Sequence, residues 1–331
     1  MSTTRALSDA LTPKQARIAA ILYHEGRRRG VEVVITCRHY LHLADMLDMY
    51  NVPYSCIGKH GVELREKLAA GLERQIKLVD IGASVDGMVG FPSPDAARVV
   101  FGLGKAVVVL NDTPHAVHVN KLVLPLAEVL IAPQAVPEGE WKRFCPGRIA
   151  IFNGVFEYMW TSRFEPKVGE VKRLGLEPGG YVVFRPEESH AAYYRWNSIE
   201  LRKKLVDEIR KRGFEVVNMP RYGDQMVEGV INIERAVDHL QLAYFSAAVI
   251  TGGATMATEA ALLGVPALSY FPTPYYIDRY LQEVGAPLYR CKDVETCLAA
   301  LPTVLEAGRG GAVRLEDPTG VIFEVLENVM K

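Results

Sequence analysis

The sequence predicts an α/β protein built as two similar units, each a parallel sheet wrapped by helices. Three observations carry that expectation. An internal echo comes first, because Arg27-Arg28-Arg29-Gly30-Val31-Glu32-Val33-Val34 recurs as Arg210-Lys211-Arg212-Gly213-Phe214-Glu215-Val216-Val217. Each copy reads as a helix end with basic residues complementing the dipole, a glycine cap and a new strand. Short apolar runs also alternate with helical periods along both halves, the βαβα order of parallel sheets. Finally, Ala247 to Leu268 passes from an apolar run through Gly252-Gly253 into a short helical stretch, a Gly264 stop and another apolar run.

In order, Arg5 to Asp9 reads as a weak strand, Pro13 to Arg29 as a helix and Val31 to Thr36 as a strand. An apolar stretch at Val85 to Phe91 follows, then a helix from about Pro94 to Leu103 and strands at Ala106 to Leu110 and near Val129 to Ala132. Between them, a helix from about Val62 to Val79 carries Leu64, Leu68, Leu72, Ile76 and Val79 with Arg65, Lys67, Arg74 and Lys77 interspersed, and reads as an amphipathic helix docked on the core. An alternative is a surface leaning on a membrane that carries a lipid-linked acceptor. Asn153-Gly154, Pro166 and several aromatics interrupt the pattern near Phe152 to Lys167, where the linker is expected. In the second half, Asn197 is placed to cap a helix with Glu200 at the capping-box position and Leu201, Leu205 and Ile209 on one face. The last segment carries Val321, Ile322, Val325, Leu326 and Val329 on one helical face behind Asp317. The expected domains are 1–160, 168–316 and a terminal helix 317–331 that packs back on the first.

With 331 residues, a formal net charge of -1, 49% hydrophobic and 23% charged residues, the chain has the balance of a soluble globular protein and nothing that recruits nucleic acid. No segment approaches the roughly 20 apolar residues of a membrane span, and Met1 to Ala10 lacks a hydrophobic signal core, so the expected location is the cytoplasm. Cys37, Cys56, Cys145, Cys291 and Cys297 are scattered and without zinc-type pairs, and are expected as free, mostly buried thiols, with a disulfide between some pair as the alternative.

Two facing sheets of this kind take their ligand at the carboxyl ends of the strands. The glycine turn aims the free N–H groups and positive end of a helix into that cleft, so Gly252, Gly253, Ala254 and Thr255 are the expected contacts of a phosphate or diphosphate. Glu259, in the second turn, is placed to accept hydrogen bonds from vicinal sugar hydroxyls. The Walker lysine and G-x-G-x-x-G are both missing, which disfavours the triphosphatase and dinucleotide readings. Arg185 and Arg221 each follow a strand and are candidate diphosphate contacts, needing no metal to neutralise a leaving nucleoside diphosphate. For a general base, His115 with Asp112 orienting it is the first choice and His60 the second. The plainer alternatives are that Asp112 or Thr113 caps a helix beginning at Pro114, with His115 and His118 on its surface, or that the two histidines and Asp112 meet a metal, for which no further ligand is evident.

The stretch "ITGGATMATEAALLGVPALSYFP", with the doubled halves, resembles the GT-B glycosyltransferases and the non-hydrolysing UDP-N-acetylglucosamine 2-epimerases. "LTPKQA", "KHG", "GLGKAVVVLNDTPHAVHVNKLVLPLAEVLIAP" and "FNGV" are similar, over nearly the full chain, to a prokaryotic family grouped with that fold, domain of unknown function 354. The resemblance implies two Rossmann-like domains facing across a cleft. It also implies a nucleotide sugar, a UDP-sugar, held by the carboxyl half, with its diphosphate on Gly252 to Thr255 and its ribose on Glu259. The amino half would take an acceptor, lipid-linked in the alternative given above, on a side that includes Lys14, Lys59 and Ser93. Metal-independent glycosyl transfer without a cofactor is the activity implied. A 2-epimerase-like reaction on one UDP-sugar and a non-catalytic nucleotide-sugar binder are the alternatives, and the oligomeric state is open.

Overall fold

A computed structural model describes residues 4–40, 42–61, 63–188, 198–234, 237–273, 275–311 and 313–330. The chain divides into one unit of Met1–Met159 with Glu316–Lys331 and a second of Trp160–Leu315.

The first unit is a seven-stranded parallel sheet of β1 (Thr4–Ala10), β2 (Val31–His39), β3 (Ser55–Lys59), β4 (Gly87–Gly90), β5 (Ala106–Leu110), β6 (Val129–Pro133) and β7 (Arg148–Phe152). Its order is β3-β2-β1-β4-β5-β6-β7. β1, expected as a weak strand, is instead a long interior one: Ala6 is paired with Val33 on one side and Gly87 on the other. Burial on both faces suits the small and apolar Ala6, Leu7 and Ala10. The Pro13–Arg29 helix starts where Thr12 accepts a hydrogen bond from the Gln15 amide, with Pro13 in the first turn. It ends at Gly30, whose φ of 75° is the left-handed cap that glycine adopts without strain.

The second unit repeats the plan with β8 (Tyr181–Arg185), β9 (Glu215–Asn218), β10 (Ile231–Asn232), β11 (Ala248–Thr251), β12 (Ala267–Ser269) and β13 (Leu288–Arg290), ordered β10-β9-β8-β11-β12-β13. Val182, Phe184, Leu205, Ile250 and Leu268 form its core under the Ser198–Lys211 helix. Gly213, like Gly30 in the echoed motif, has a positive φ, 86°. The chain therefore winds each sheet the same way, and the order reverses between β1 and β4 and again between β8 and β11. Such switch points are where doubly wound sheets open a crevice. Asn197, named above as a cap, lies outside the described residues.

The Thr319–Val329 helix belongs to the first unit, with Ile322, Phe323 and Leu326 buried and the Arg29 guanidinium 5.2 Å from the Phe323 ring centroid. Glu316 ties the segment down, accepting the Asn153 amide at 2.6 Å, and Thr4 donates to the Met330 carbonyl at 3.4 Å.

Three expectations change. The Leu64–Ala83 helix does not dock its leucine stripe: Leu64, Leu68, Leu72, Ile76 and Val79 are exposed, while Arg74, Leu78 and Gly82 face inward. The cause is polar, because Arg74 donates to both oxygens of the buried Asp9, and that pair fixes the helix rotation. Four cysteines are bonded rather than free, as Cys37–Cys56 and Cys291–Cys297, leaving Cys145 as the buried thiol. Parallel register puts Cys37 beside Cys56 on neighbouring strands, a proximity that scattered sequence positions do not reveal. Finally, the helix after β5 begins at Val117, not Pro114, so His115 sits in a loop. Asn120 holds that loop by donating to the Thr113 and Pro114 carbonyls, while Asn111 accepts the Thr113 amide.

Removing one partner of a buried ion pair strands the other charge, so Arg74→Met is expected to lower the unfolding free energy by about 3–5 kcal/mol. Equilibrium denaturant melts check this, and a loss below about 1 kcal/mol would refute the organising role given to the pair.

Candidate functional site

At the second switch point, β8 ends on Arg185 and β11 ends on Thr251, which are register partners. The Gly252 amide donates to the Arg185 carbonyl at 3.1 Å, and Gly253 donates to Thr251 Oγ1 at 2.9 Å. The Ala254–Leu262 helix then starts with Gly253 as its cap residue, and among the described residues no side chain caps its first amides. Uncapped amides at a helix start present partial positive charge. The two glycines have different reasons. A Cβ on Gly252 would stand 2.5 Å from Glu187 Cβ and 2.7 Å from Tyr270 Cε2, so this glycine permits close packing. A Cβ on Gly253 would instead meet Arg221 Nη2 at 3.3 Å, which locates that guanidinium beside the helix start.

Arg185 donates to the Met219 and Pro220 carbonyls at 2.6 and 3.1 Å. Burial, reinforced by the Arg221 charge and opposed by Glu188 and Tyr222, lowers its pKa. A guanidinium stays protonated in proteins, so the shift expresses chiefly a charge held away from water, with the Arg221 charge adding to it. Arg221 is anchored through Nε to the Pro186 carbonyl at 3.4 Å, faces Glu188 at 3.8 Å, and has its own amide held by Gln225 Oε1 at 2.8 Å. Gln225, buried, donates to the Glu187 carbonyl at 2.8 Å and so braces both arginine-bearing loops. The structure thus brings Arg185, Arg221, Gly252, Gly253 and the start of the Ala254–Leu262 helix together.

Glu259 is buried on the same helix. Trp160 Nε1 donates to its Oε1 at 2.9 Å, and His239 Nε2 donates to its Oε2 at 2.8 Å. Trp160 and His239 escaped the sequence reading; His239 lies in an ordinary apolar helix pattern, and nothing in its spacing signals a partner twenty residues on.

In the first unit, Asp112, Lys14 and Glu157 form a buried cluster. Lys14 Nζ bonds to Asp112 Oδ2 at 2.5 Å and to Glu157 Oε1 at 2.6 Å, and lies 5.0 Å from the Phe91 ring centroid. Burial disfavours the Lys14 charge, but the two carboxylates outweigh it and its pKa rises. Burial pushes the Glu157 carboxyl from 4.5 up to about 7, with Lys14 pulling against and Asp112 adding to the rise. Thr113 donates to Asp112 Oδ1 at 2.8 Å, so the oxygens of Asp112 serve Thr113 and Lys14. Burial lowers the pKa of His115, with Asp112 opposing, which favours the neutral imidazole that a general base requires. Glu157, inside the stretch read as a linker, was not expected at a site.

Ser93 is buried in a different network, donating to Asp9 Oδ2 at 2.6 Å and capping the Pro94–Gly102 helix through the Ala96 amide at 3.3 Å. Lys59 ends β3, exposed, with His60 beside it packed edge-on against Tyr40 at 4.9 Å between centroids. Burial, Arg38 and Lys67 lower the His60 pKa. Among the described residues, no helix is long and apolar enough to cross a membrane.

The family model described as "Protein of unknown function (DUF354)" matches residues 16–331. The chain belongs to the DUF354 family. It is similar to an uncharacterised protein of Methanocaldococcus jannaschii, 31% identical over 319 residues and spanning 92% of each chain. Among solved structures it shares its fold with a Neisseria meningitidis UDP-GlcNAc 2-epimerase bound to UDP-GlcNAc, at a TM-score of 0.75 and 14% identity over 98% of this chain and 100% of that one. It is also similar to the spinosyn forosaminyltransferase SpnP, at a TM-score of 0.61 and 15% identity over 99% and 96%. Two Rossmann-like units with parallel sheets, as in these GT-B structures, are therefore the fold of this DUF354 chain.

The two glycines should separate on substitution. Gly252→Ala overpacks the site and is expected to cost about 1–3 kcal/mol in denaturant melts, whereas Gly253→Ala, meeting the far end of Arg221 and, at ordinary contact distance, Thr251 Oγ1, should cost under about 1 kcal/mol. Equal losses would contradict the assignment. Glu157 gives a pH test. Because its folded pKa is raised, its contribution to stability is full below about 4.5 and is lost as pH rises through about 7. Denaturant melts should show that falling component in the wild-type protein and its disappearance in Glu157→Gln; parallel pH profiles would rule it out.

Proposed function

We propose that the protein acts on a nucleotide sugar, a UDP-sugar, whose diphosphate lies at the start of the Ala254–Leu262 helix. The observation that carries this reading is the convergence of Arg185 and Arg221 on uncapped helix amides at the β8/β11 switch point. The amides of Ala254 and Thr255, together with the two guanidinium groups, take the diphosphate oxygens, and the site neutralises them without a metal. Glu259 takes the ribose hydroxyls. Trp160 and His239 hydrogen-bond its two oxygens and fix the plane of the carboxylate. The uracil nucleotide rests on analogy with the fold neighbours, 2-epimerases whose structures hold UDP-GlcNAc.

The reaction in this reading is glycosyl transfer. As the bond from sugar to diphosphate breaks, the leaving oxygen gains negative charge, which the helix end and guanidinium groups stabilise more strongly than in the ground state. His115, held neutral by burial, accepts the proton of an acceptor hydroxyl, with Asp112 favouring the imidazolium that forms. Lys14 pairs with Asp112, and Lys59 and His60 are further acceptor-side groups. The enzyme is assigned to the cytoplasm, where nucleotide sugars are at hand.

A second reading is favoured by one observation, the Asp112–Lys14–Glu157 cluster. A carboxyl poised near neutrality beside an ammonium can exchange protons with a single substrate, as an epimerisation on a UDP-sugar requires. Incubation with UDP-GlcNAc alone separates the two: an epimer or free UDP without an acceptor supports epimerisation, and consumption only with an acceptor supports transfer. Titration calorimetry with UDP tests the shared step. Arg221→Ala is expected to weaken UDP binding about 10–100-fold and Glu259→Ala about tenfold, with uridine affected only by the second. Wild-type protein that binds neither UDP nor any UDP-sugar would defeat the proposal.

A further inference from the structure

The Leu64–Ala83 helix leaves its longest apolar stripe uncovered. Leu64, Leu68 and Ile76 are 84%, 67% and 74% exposed, and Leu72 and Val79 are about half exposed. On the neighbouring Pro94–Gly102 helix and the turn after it, Phe101 and Leu103 extend the patch; Leu103 packs where Gly82 faces the turn. Monomeric proteins rarely expose a contiguous apolar surface of this kind. The helix is well specified in itself, with Glu63 and Glu66 forming a capping box. Its rotation is locked from the opposite face by Arg74, so the stripe cannot roll inward without stranding Asp9.

We infer that this face is a two-fold interface between copies of the chain, with the Leu64–Ala83 helices packed antiparallel across Leu72. Spacing within the stripe argues for a second copy. Counting from Leu72, the apolar residues stand at minus eight, minus four, zero, plus four and plus seven. An antiparallel copy about a two-fold at Leu72 therefore sets Leu68 against Ile76 of the second copy and Leu64 against Val79 of the second copy. Leu72 meets its own equivalent. An isologous contact demands this self-complementarity, and an unrelated partner would not.

Charge agrees. Arg65 and Asp80 are exposed, and both lie on the same edge of the stripe, at minus seven and plus eight. A two-fold perpendicular to the helices carries that edge onto itself, so Arg65 stands level with Asp80 of the second copy on either side of the axis. A membrane fits less well. The exposed charges of this helix and its cap, Arg65, Lys67 and Lys77 against Glu63, Glu66, Glu73 and Asp80, sum to a net negative value, and an anionic bilayer would repel it.

Sedimentation equilibrium of the full chain, from about 1 to about 100 µM, reads the outcome. The wild type is expected to dimerise, and Leu72→Asp to be monomeric with an unchanged thermal midpoint, since the side chain is exposed. Leu68→Ser is a milder second variant. Arg65→Asp alone should weaken association about tenfold, and Arg65→Asp combined with Asp80→Arg should restore it to within about threefold. Wild-type protein that stays monomeric, a dimer indifferent to Leu72→Asp, or a monomer that co-sediments with phosphatidylserine vesicles would each overturn the inference. The result is independent of nucleotide binding.

Discussion

The pairing of Arg74 with Asp9 organises the first unit. Asp9 lies at the carboxyl end of β1, where its oxygens accept from Arg74, Thr36 on β2 and Ser93 at the cap of the helix after β4. Arg74 also donates to the Ile57 carbonyl on β3 at 2.9 Å. One buried ion pair thereby links four strands or strand ends to two helices. Such a pair yields little net stability over an apolar substitute, because both ions lose their water. Its value here is positional: it admits one helix rotation, and that rotation puts the leucine stripe outside.

The two switch points, alike in winding, are filled differently. In the first unit, the crevice beside β1 and β4 receives the protein's own guanidinium, and Ser93 caps the adjacent helix with its side chain. In the second, Gly253 stands at the cap position, among the described residues no side chain closes the helix, and two guanidinium groups approach from the ends of β8 and β9. Positive charge is balanced internally in one case and left in surplus in the other. The same architecture therefore yields one junction closed by its own side chains and one whose helix start carries two guanidinium groups beside it. Glu187 adds a constraint, because its buried carboxylate takes the Tyr270 hydroxyl at 3.1 Å and its backbone needs the space that Gly252 vacates.

Much of this was legible because local rules and the fold agree. Gly30 and Gly213 read as helix caps and adopt positive φ; the apolar run at Ala106–Leu110 reads as a strand and is one. Gly252 and Gly253 announced a turn into a helix, and Arg185 and Arg221 followed strands, so a site of mixed guanidinium and amide character could be assembled from order alone. Contacts between residues far apart in sequence were not legible. Glu259 meets Trp160 across ninety-nine positions, Lys14 meets Glu157 across one hundred and forty-three, and Cys37 meets Cys56 only through the register of two strands, one of which, β3, carries no strong strand pattern. The amphipathic helix misled for a related reason: periodicity identifies an apolar face, and a distant carboxylate decided which face turned inward.

The cluster around Lys14 has a charge logic of its own. Two carboxylates and one ammonium, all buried, leave one negative charge in excess, and desolvation penalises that excess more than it penalises a neutral acid. Thr113 and Lys14 donate to Asp112, while burial pushes the Glu157 carboxyl up to about 7, so the added proton is placed on Glu157. A proton held there is released by whatever raises the local positive charge and is kept when an anion approaches. Glu157 therefore differs from a structural carboxylate, which would be fixed in one state over the whole neutral range. Near pH 7 its two forms are close in free energy, and a small change in its surroundings is enough to move the proton.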